Sequence, residues 1–266
     1  MSGQSPTFAE MTRRNAVTLL ASTMGTIALA RSPASGPSLN EIVDRHTRAV
    51  GGRQILDRVH SKWVSLTITE KGSPIDGVYQ CTDIPEWRID VYTGGKHVFC
   101  EGLDRSGPWL WPGGDAAAKA ATADARRTGI QGIEFHLYGL HRFPARGHQL
   151  FLDQPQTIDG TRYHVIRVLM RDAYETFLFI NSTTFLIDRR RDKRAPHPDL
   201  NPTRKFMEKR YSDYRRVGGI MTAYVEDQYN LTDGTLVNSS AVKQVRYNGA
   251  SAPEAFARNA RFLLTI

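Results

Sequence analysis

The side chains able to do chemistry are scattered along this chain. His136, His141 and His148 lie close together, but their spacing does not bring three imidazoles onto one helical face, and Pro144 interrupts the segment. Surface or capping roles fit these histidines better than metal ligation. Asp83, Glu86 and Asp90 offer carboxylates for paired acid–base work, although on a strand they fit a solvated face. Asp90, His97 and Glu101 form the set on which an enzymatic reading would have to rest. The sequence has no G-x-S-x-G elbow, phosphate loop, GxGxxG fingerprint, HExxH helix or CxxC pair. The reading is therefore of a protein without catalytic residues, cofactor or metal.

The elements that must position any site read as a β-meander with helical inserts. Ile42, Val43, His46, Ala49 and Val50 recur at helical spacing behind Ser38, and Gly51-Gly52 stops that helix. A short second helix spans 53–59. Strands are expected at 64–68, 77–83, 87–92 and 96–101, the last two joined by Thr93-Gly94-Gly95. A turn leads into Trp109-Leu110-Trp111. Two helices are expected next, at 116–127 behind Asp115 and at 129–138. Strands resume at 162–170, 174–180, 185–191, 205–214, 220–231 and 236–246, and Pro253 opens a final short helix. About ten strands joined by short turns, with no βαβ units, predict an α+β chain: a curved antiparallel sheet forming an unclosed β-barrel, with N-terminal and central helices.

Composition narrows the function classes. Of 266 residues 40% are apolar, and Lys+Arg 35 against Asp+Glu 27 gives a formal +8, which invites a nucleic-acid reading. The N-terminus argues otherwise. Arg13-Arg14 precede a short apolar run ending at Ala28-Leu29-Ala30, the pattern of a cleavable export signal of twin-arginine type. The run is too short and too often broken by Thr and Ser to span a membrane. The expected organisation is a signal over 1–30, a linker over 31–38 containing Pro33, Gly36 and Pro37, and one domain over 39–266. Cleavage removes two arginines and one glutamate, taking the charge from +8 to +7, and places the chain in the periplasm away from nucleic acid. Cys81 and Cys100 fall on strands separated by a third, too far apart to bridge, so two buried free thiols are expected.

The largest basic run, Arg189 to Arg194, precedes Ala195-Pro196 and reads as a solvated loop rim, or as a patch drawn to anionic lipid headgroups. The apolar strand faces say more. Val64, Leu66, Ile68, Trp87, Ile89, Val91, Trp109, Trp111, Ile166, Val168, Phe177 and Phe179 are expected to line one side of the curved sheet and to bind an apolar ligand. Ile130, Ile133 and Leu137 form a stripe on a helix expected to act as a lid. An interaction module with a basic rim and a packed interior is the remaining alternative.

The order of these features resembles the LolA/LolB superfamily, in its outer membrane lipoprotein-sorting branch. The similarity runs from the helix ending Ala49-Val50-Gly51-Gly52, through Pro85-Glu86-Trp87-Arg88 and Ile158-Asp159-Gly160, to Ile180-Asn181-Ser182-Thr183-Thr184 and Tyr211-Ser212-Asp213-Tyr214. It implies an unclosed barrel covered by helices, holding an acyl chain or other hydrophobic ligand. The implied protein is a monomeric carrier in transient contact with an anionic membrane or a membrane donor or acceptor. Ile84 stands where the dedicated lipoprotein carrier has arginine, and Asn181 where it has aspartate. The expectation is therefore a lipid or hydrophobic-ligand binder in the broad sense.

Overall fold

The alternating segments pair along the chain as a computed structural model shows for residues 36–70, 72–249 and 253–258. The strands are β1 (Ser61–Glu70), β2 (Ser73–Thr82), β3 (Trp87–Thr93), β4 (Lys96–Asp104), β5 (Gly107–Trp111), β6 (Lys119–Ala120), β7 (Gln149–Ile158), β8 (Thr161–Leu169), β9 (Glu175–Asn181), β10 (Ile187–Arg194), β11 (Lys205–Val217), β12 (Ile220–Asn230) and β13 (Leu236–Tyr247). They form one antiparallel sheet in the order β6-β5-β4-β3-β2-β1-β13-β12-β11-β10-β9-β8-β7, which is open at both edges. The helices are α1 (Leu39–Val50), α2 (Arg53–Leu56) and α3 (Ala123–Leu137). The expected mostly-β, unclosed architecture is present. The signal and most of the linker lie outside the described residues.

Directly paired residues in an antiparallel sheet share a face, so the register assigns every strand residue. One face carries Val64, Tyr79, Ile89 and Leu103, continued by Ile166, Val168, Leu178 and Ile180; α1 and α3 pack on it, giving the main core. This is the inner face. A flat sheet would hold β4 and β10 seven strand spacings apart, roughly 34 Å. Yet His197, three residues past β10, meets Glu101 of β4 at 2.7 Å on the inner side. The sheet must therefore curl inward.

Local chemistry explains the helices. Ser38 caps α1, its hydroxyl accepting from the Glu41 amide at 3.3 Å, and Ile42 and Val43 turn into the core. The central region differs from expectation: residues 116–118 are not helical, 119–120 form a two-residue strand against β5, and a single helix runs from Ala123 to Leu137. Ala116 and Ala117 have helix propensity but bury nothing, and propensity without an apolar stripe does not hold a helix. Thr122, not Asp115, is the cap, its hydroxyl accepting from the Ala125 amide. Within the helix only glycine fits at 129, because a Cβ there would sit inside the Trp87 indole. Strand β7, like the two-residue β6, escapes sequence patterning. It is an edge strand with Pro155 inside it and a register shift between Asp153 and Gln156, so its alternation is broken.

Candidate functional site

The expected ligand-binding residues divide between the two faces. Val64, Leu66, Ile68, Trp87, Ile89, Val91, Ile166 and Val168 all lie on the inner face, as their paired registers require. Of these, Ile166, Val168, Val64 and Trp87 are buried, whereas Leu66, Ile68, Ile89 and Val91 keep accessible surface. Trp109, Trp111, Phe177 and Phe179 are corrections: they lie on the outer face. Trp109 pairs with Gly102 and Trp111 with Cys100, on the side of Arg88 and Asp90. Phe179 pairs with Val165 and packs with Tyr163 and Phe177 in a separate cluster. Strands β8 and β9 are apolar on both sides, so alternation alone gave no sign of which side was inner. On α3, Ile133 and Leu137 are buried in the main core and Ile130 is half-buried against it.

The acid–base candidates are divided: Asp90 and His97 lie on the outer face and Glu101 on the inner one. Asp90 accepts a bidentate pair of hydrogen bonds from Arg88 at 2.8 Å, both side chains fully buried. Trp109 lies beneath the guanidinium, and the carbonyls of Ala255 and Ala257 accept from its Nη1. Gly102 is required here, since a Cβ would lie 2.8 Å from the Trp109 ring. His97 Nε2 is 2.9 Å from Asp90, whereas Glu101 points inward to His197. Asp90, His97 and Cys100 bring one ligand atom each within 4.8 Å of one another, the one such grouping among the described residues. Burial, then the neighbouring Asp90 carboxylate, pushes the Cys100 thiol far up, and that carboxylate is already matched by Arg88. The Asp90 carboxylate is thus already charge-matched within the protein. Cys81, free like Cys100, is buried on the inner side, with β3 between them.

The histidines do not converge either. His141 meets Asp57 at 2.9 Å, and His148 lies 3.3 Å from Glu134, which also receives Arg146. His136 is different. It lies on α3, its ring 4.7 Å from Tyr79, with Nδ1 3.4 Å from Lys62 Nζ.

Around His136 the inner face changes character. The basic run expected at a solvated rim is instead the body of β10, and the two-residue strand period divides it. Arg189 and Arg191 face outward to Glu208, while Arg190, Asp192 and Arg194 face inward. Asp192 lies 3.2 Å from Arg190 and 3.3 Å from Arg194, and accepts from the Tyr174 hydroxyl at 2.6 Å. Lys209, paired with Arg190 across β10 and β11, forms an ion pair with Glu226 of β12. His136 itself keeps solvent-exposed surface. Desolvation, then the charges of Lys62, Lys209, Arg190 and Arg194, hold its pKa well below the usual imidazole value. Lys209 and Glu226 remain 19% and 28% exposed. Charged groups that keep access on the inner side of a curling sheet line a concavity rather than a packed core. Charges here are less screened than on an open surface. The sequence signal was present: consecutive charges within a strand must send every second one inward.

No protein-family model matches the sequence, and no curated protein does. Among solved structures, a LolA superfamily protein from Nitrosomonas europaea is 10% identical with a TM-score of 0.54, the match covering 81% of this chain and 96% of that one. A DUF1329 family protein from Desulfovibrio piger is also 10% identical, with a TM-score of 0.52 over 82% of this chain and 96% of that one. The fold is LolA-like, as the order of sequence features implied.

Proposed function

We propose that this protein is a non-catalytic binder and carrier of lipids or other hydrophobic ligands in the cell envelope, held against the inner face of the half-barrel. In this reading residues 1–30 are a twin-arginine export signal, 31–38 a linker and 39–266 the carrier domain, working as a monomer in the periplasm. The observation that carries it is the accessible apolar strip Leu66, Ile68, Ile89 and Val91 on the helix-covered side of a sheet that curls without closing. Ordinary folding would bury such residues. Each methylene of a bound chain recovers ~0.8 kcal/mol on leaving water, so affinity builds without polar readout. The LolA-like fold of the neighbours supports the same reading. Helix α3 serves as the lid, with Ile130, Ile133 and Leu137 turned to the interior.

Native mass spectrometry of the chain expressed with its N-terminus intact in a Gram-negative host tests this. Recovery from the periplasm as a monomer with a co-purifying lipid is the expected result. Repeated recovery without any lipid, and no uptake of an added acyl probe, overturns it.

A further inference from the structure

Four cations on the inner face act on His136: Lys62 of β1, 3.4 Å away, with Arg190 and Arg194 of β10 and Lys209 of β11. Two carboxylates share that space, Asp192 and Glu226, and both are already engaged. Asp192 lies between the two arginines and Glu226 is paired with Lys209. Lys62 has no carboxylate partner among the described residues; its neighbours are the imidazole of His136 at 3.4 Å and the Tyr247 ring, 5.8 Å to the centroid. Counting charges, the concavity holds four positive and two negative groups, an excess of two positive charges. An excess of one sign on a concave surface attracts the opposite charge.

The apolar strip begins on the same strand as Lys62. Val64, Leu66 and Ile68 follow it on the inner face at every second residue, and Tyr79 of β2 borders both the strip and His136. One ligand shape satisfies both halves, a chain along the strip with an acidic head beside Lys62. We infer that the interior takes an anionic amphiphile, an acyl chain ending in a carboxylate or phosphate, with the head held between Lys62, His136, Arg194 and Lys209. This rests on the carrier reading above and adds the charge of the ligand to it. The outer-face basic residues are not part of the site, since Arg189, Arg191 and Arg210 gather on Glu208, with Asp159 also on Arg189, on the opposite side of the sheet.

Displacement of Nile red, a neutral apolar dye, from the full chain tests the inference. The competitors are oleate, oleoyl lysophosphatidic acid, the neutral methyl oleate, and inorganic phosphate alone. The expected result is at least a tenfold advantage for an acidic amphiphile over methyl oleate. Lys62→Met should bring the two within about twofold of each other by weakening the acidic competitors, while Lys62→Arg keeps the advantage. Tighter binding of lysophosphatidic acid than of oleate assigns the head to a phosphate, and the reverse order assigns it to a carboxylate. Equal binding of oleate and methyl oleate by the wild type overturns the inference and leaves the carrier reading standing. Failure of every acyl competitor, with or without binding of phosphate alone, overturns both. The wild-type arms decide the matter even where a variant fails to fold.

Discussion

The two faces of the sheet each contain buried charge, and they use it in opposite ways. On the outer face Arg88 and Asp90 neutralise each other with two 2.8 Å hydrogen bonds, and the carbonyls of Ala255 and Ala257 take further donors of the guanidinium. On the inner face Lys62, Arg190, Arg194 and Lys209 outnumber Asp192 and Glu226, and the surrounding walls leave several of these groups accessible. Burial of charge is thus no guide to function by itself. The informative combination is an excess of one sign together with remaining access: the first cluster is complete, and the second has room for something more.

This contrast can be broken most directly on the complete side. Arg88→Leu leaves Asp90 buried without its partner, and loss of one member of a buried pair costs ~3–5 kcal/mol; urea unfolding should show that loss. If stability falls by less than 1 kcal/mol, the outer cluster is not the structural element described here. Gly129→Ala pushes a methyl group into the Trp87 indole and should cost ~1–3 kcal/mol through overpacking, again read by urea unfolding. A normal midpoint would mean that α3 is not seated as described. On the incomplete side the expectation reverses. Lys62→Met should change stability by no more than about 0.5 kcal/mol, as for a residue without an ion-pair partner, while altering which ligands bind. A large loss of stability there would make the inner cations structural as well.

The smallest effect is one of pH. Burial draws the His197 pKa down, but the hydrogen bond to Glu101, 2.7 Å away, and that carboxylate's charge raise it above its ordinary value. The folded pKa therefore exceeds the unfolded one. The contact stabilises the protein fully below the ordinary imidazole pKa of about 6.5 and fades as pH rises through the higher folded value. Amide exchange across 195–204 should therefore be slower at pH 6 than at pH 8 after correction for intrinsic rates. His197→Ala should remove the difference, and an unchanged pH response in that variant would exclude this residue.

Much of the fold was legible because local chemistry and global pairing agree. The β3–β4 hairpin follows from two alternating runs around Gly94-Gly95, and α1 from its spacing behind Ser38. The inner placement of Val64, Leu66 and Ile68 with Trp87, Ile89 and Val91 was readable, since each trio keeps strict alternation. What the sequence could not show was parity between distant strands. Phe177 and Phe179 alternate as cleanly as Leu178 and Ile180, and only pairing with Val165 and Ile166 decides which pair faces inward. The basic run misled for a related reason. Consecutive charges look solvated until a strand is imposed on them, after which Arg190 and Arg194 have nowhere to point but inside.

The open sheet has one more consequence, for self-association. A barrel removes its edges by closing; a sheet that stays open leaves two rows of backbone groups that another chain could extend. Here one edge is β6, only two exposed residues long. The other is β7, where Pro155 lacks an amide hydrogen to donate and the irregularity at Asp153–Gln156 bends the strand away from a straight template. Neither edge offers a long, flat run for a second copy to pair with. The features that hid these strands from sequence patterning, brevity and a proline, are the ones that protect an open sheet from polymerising.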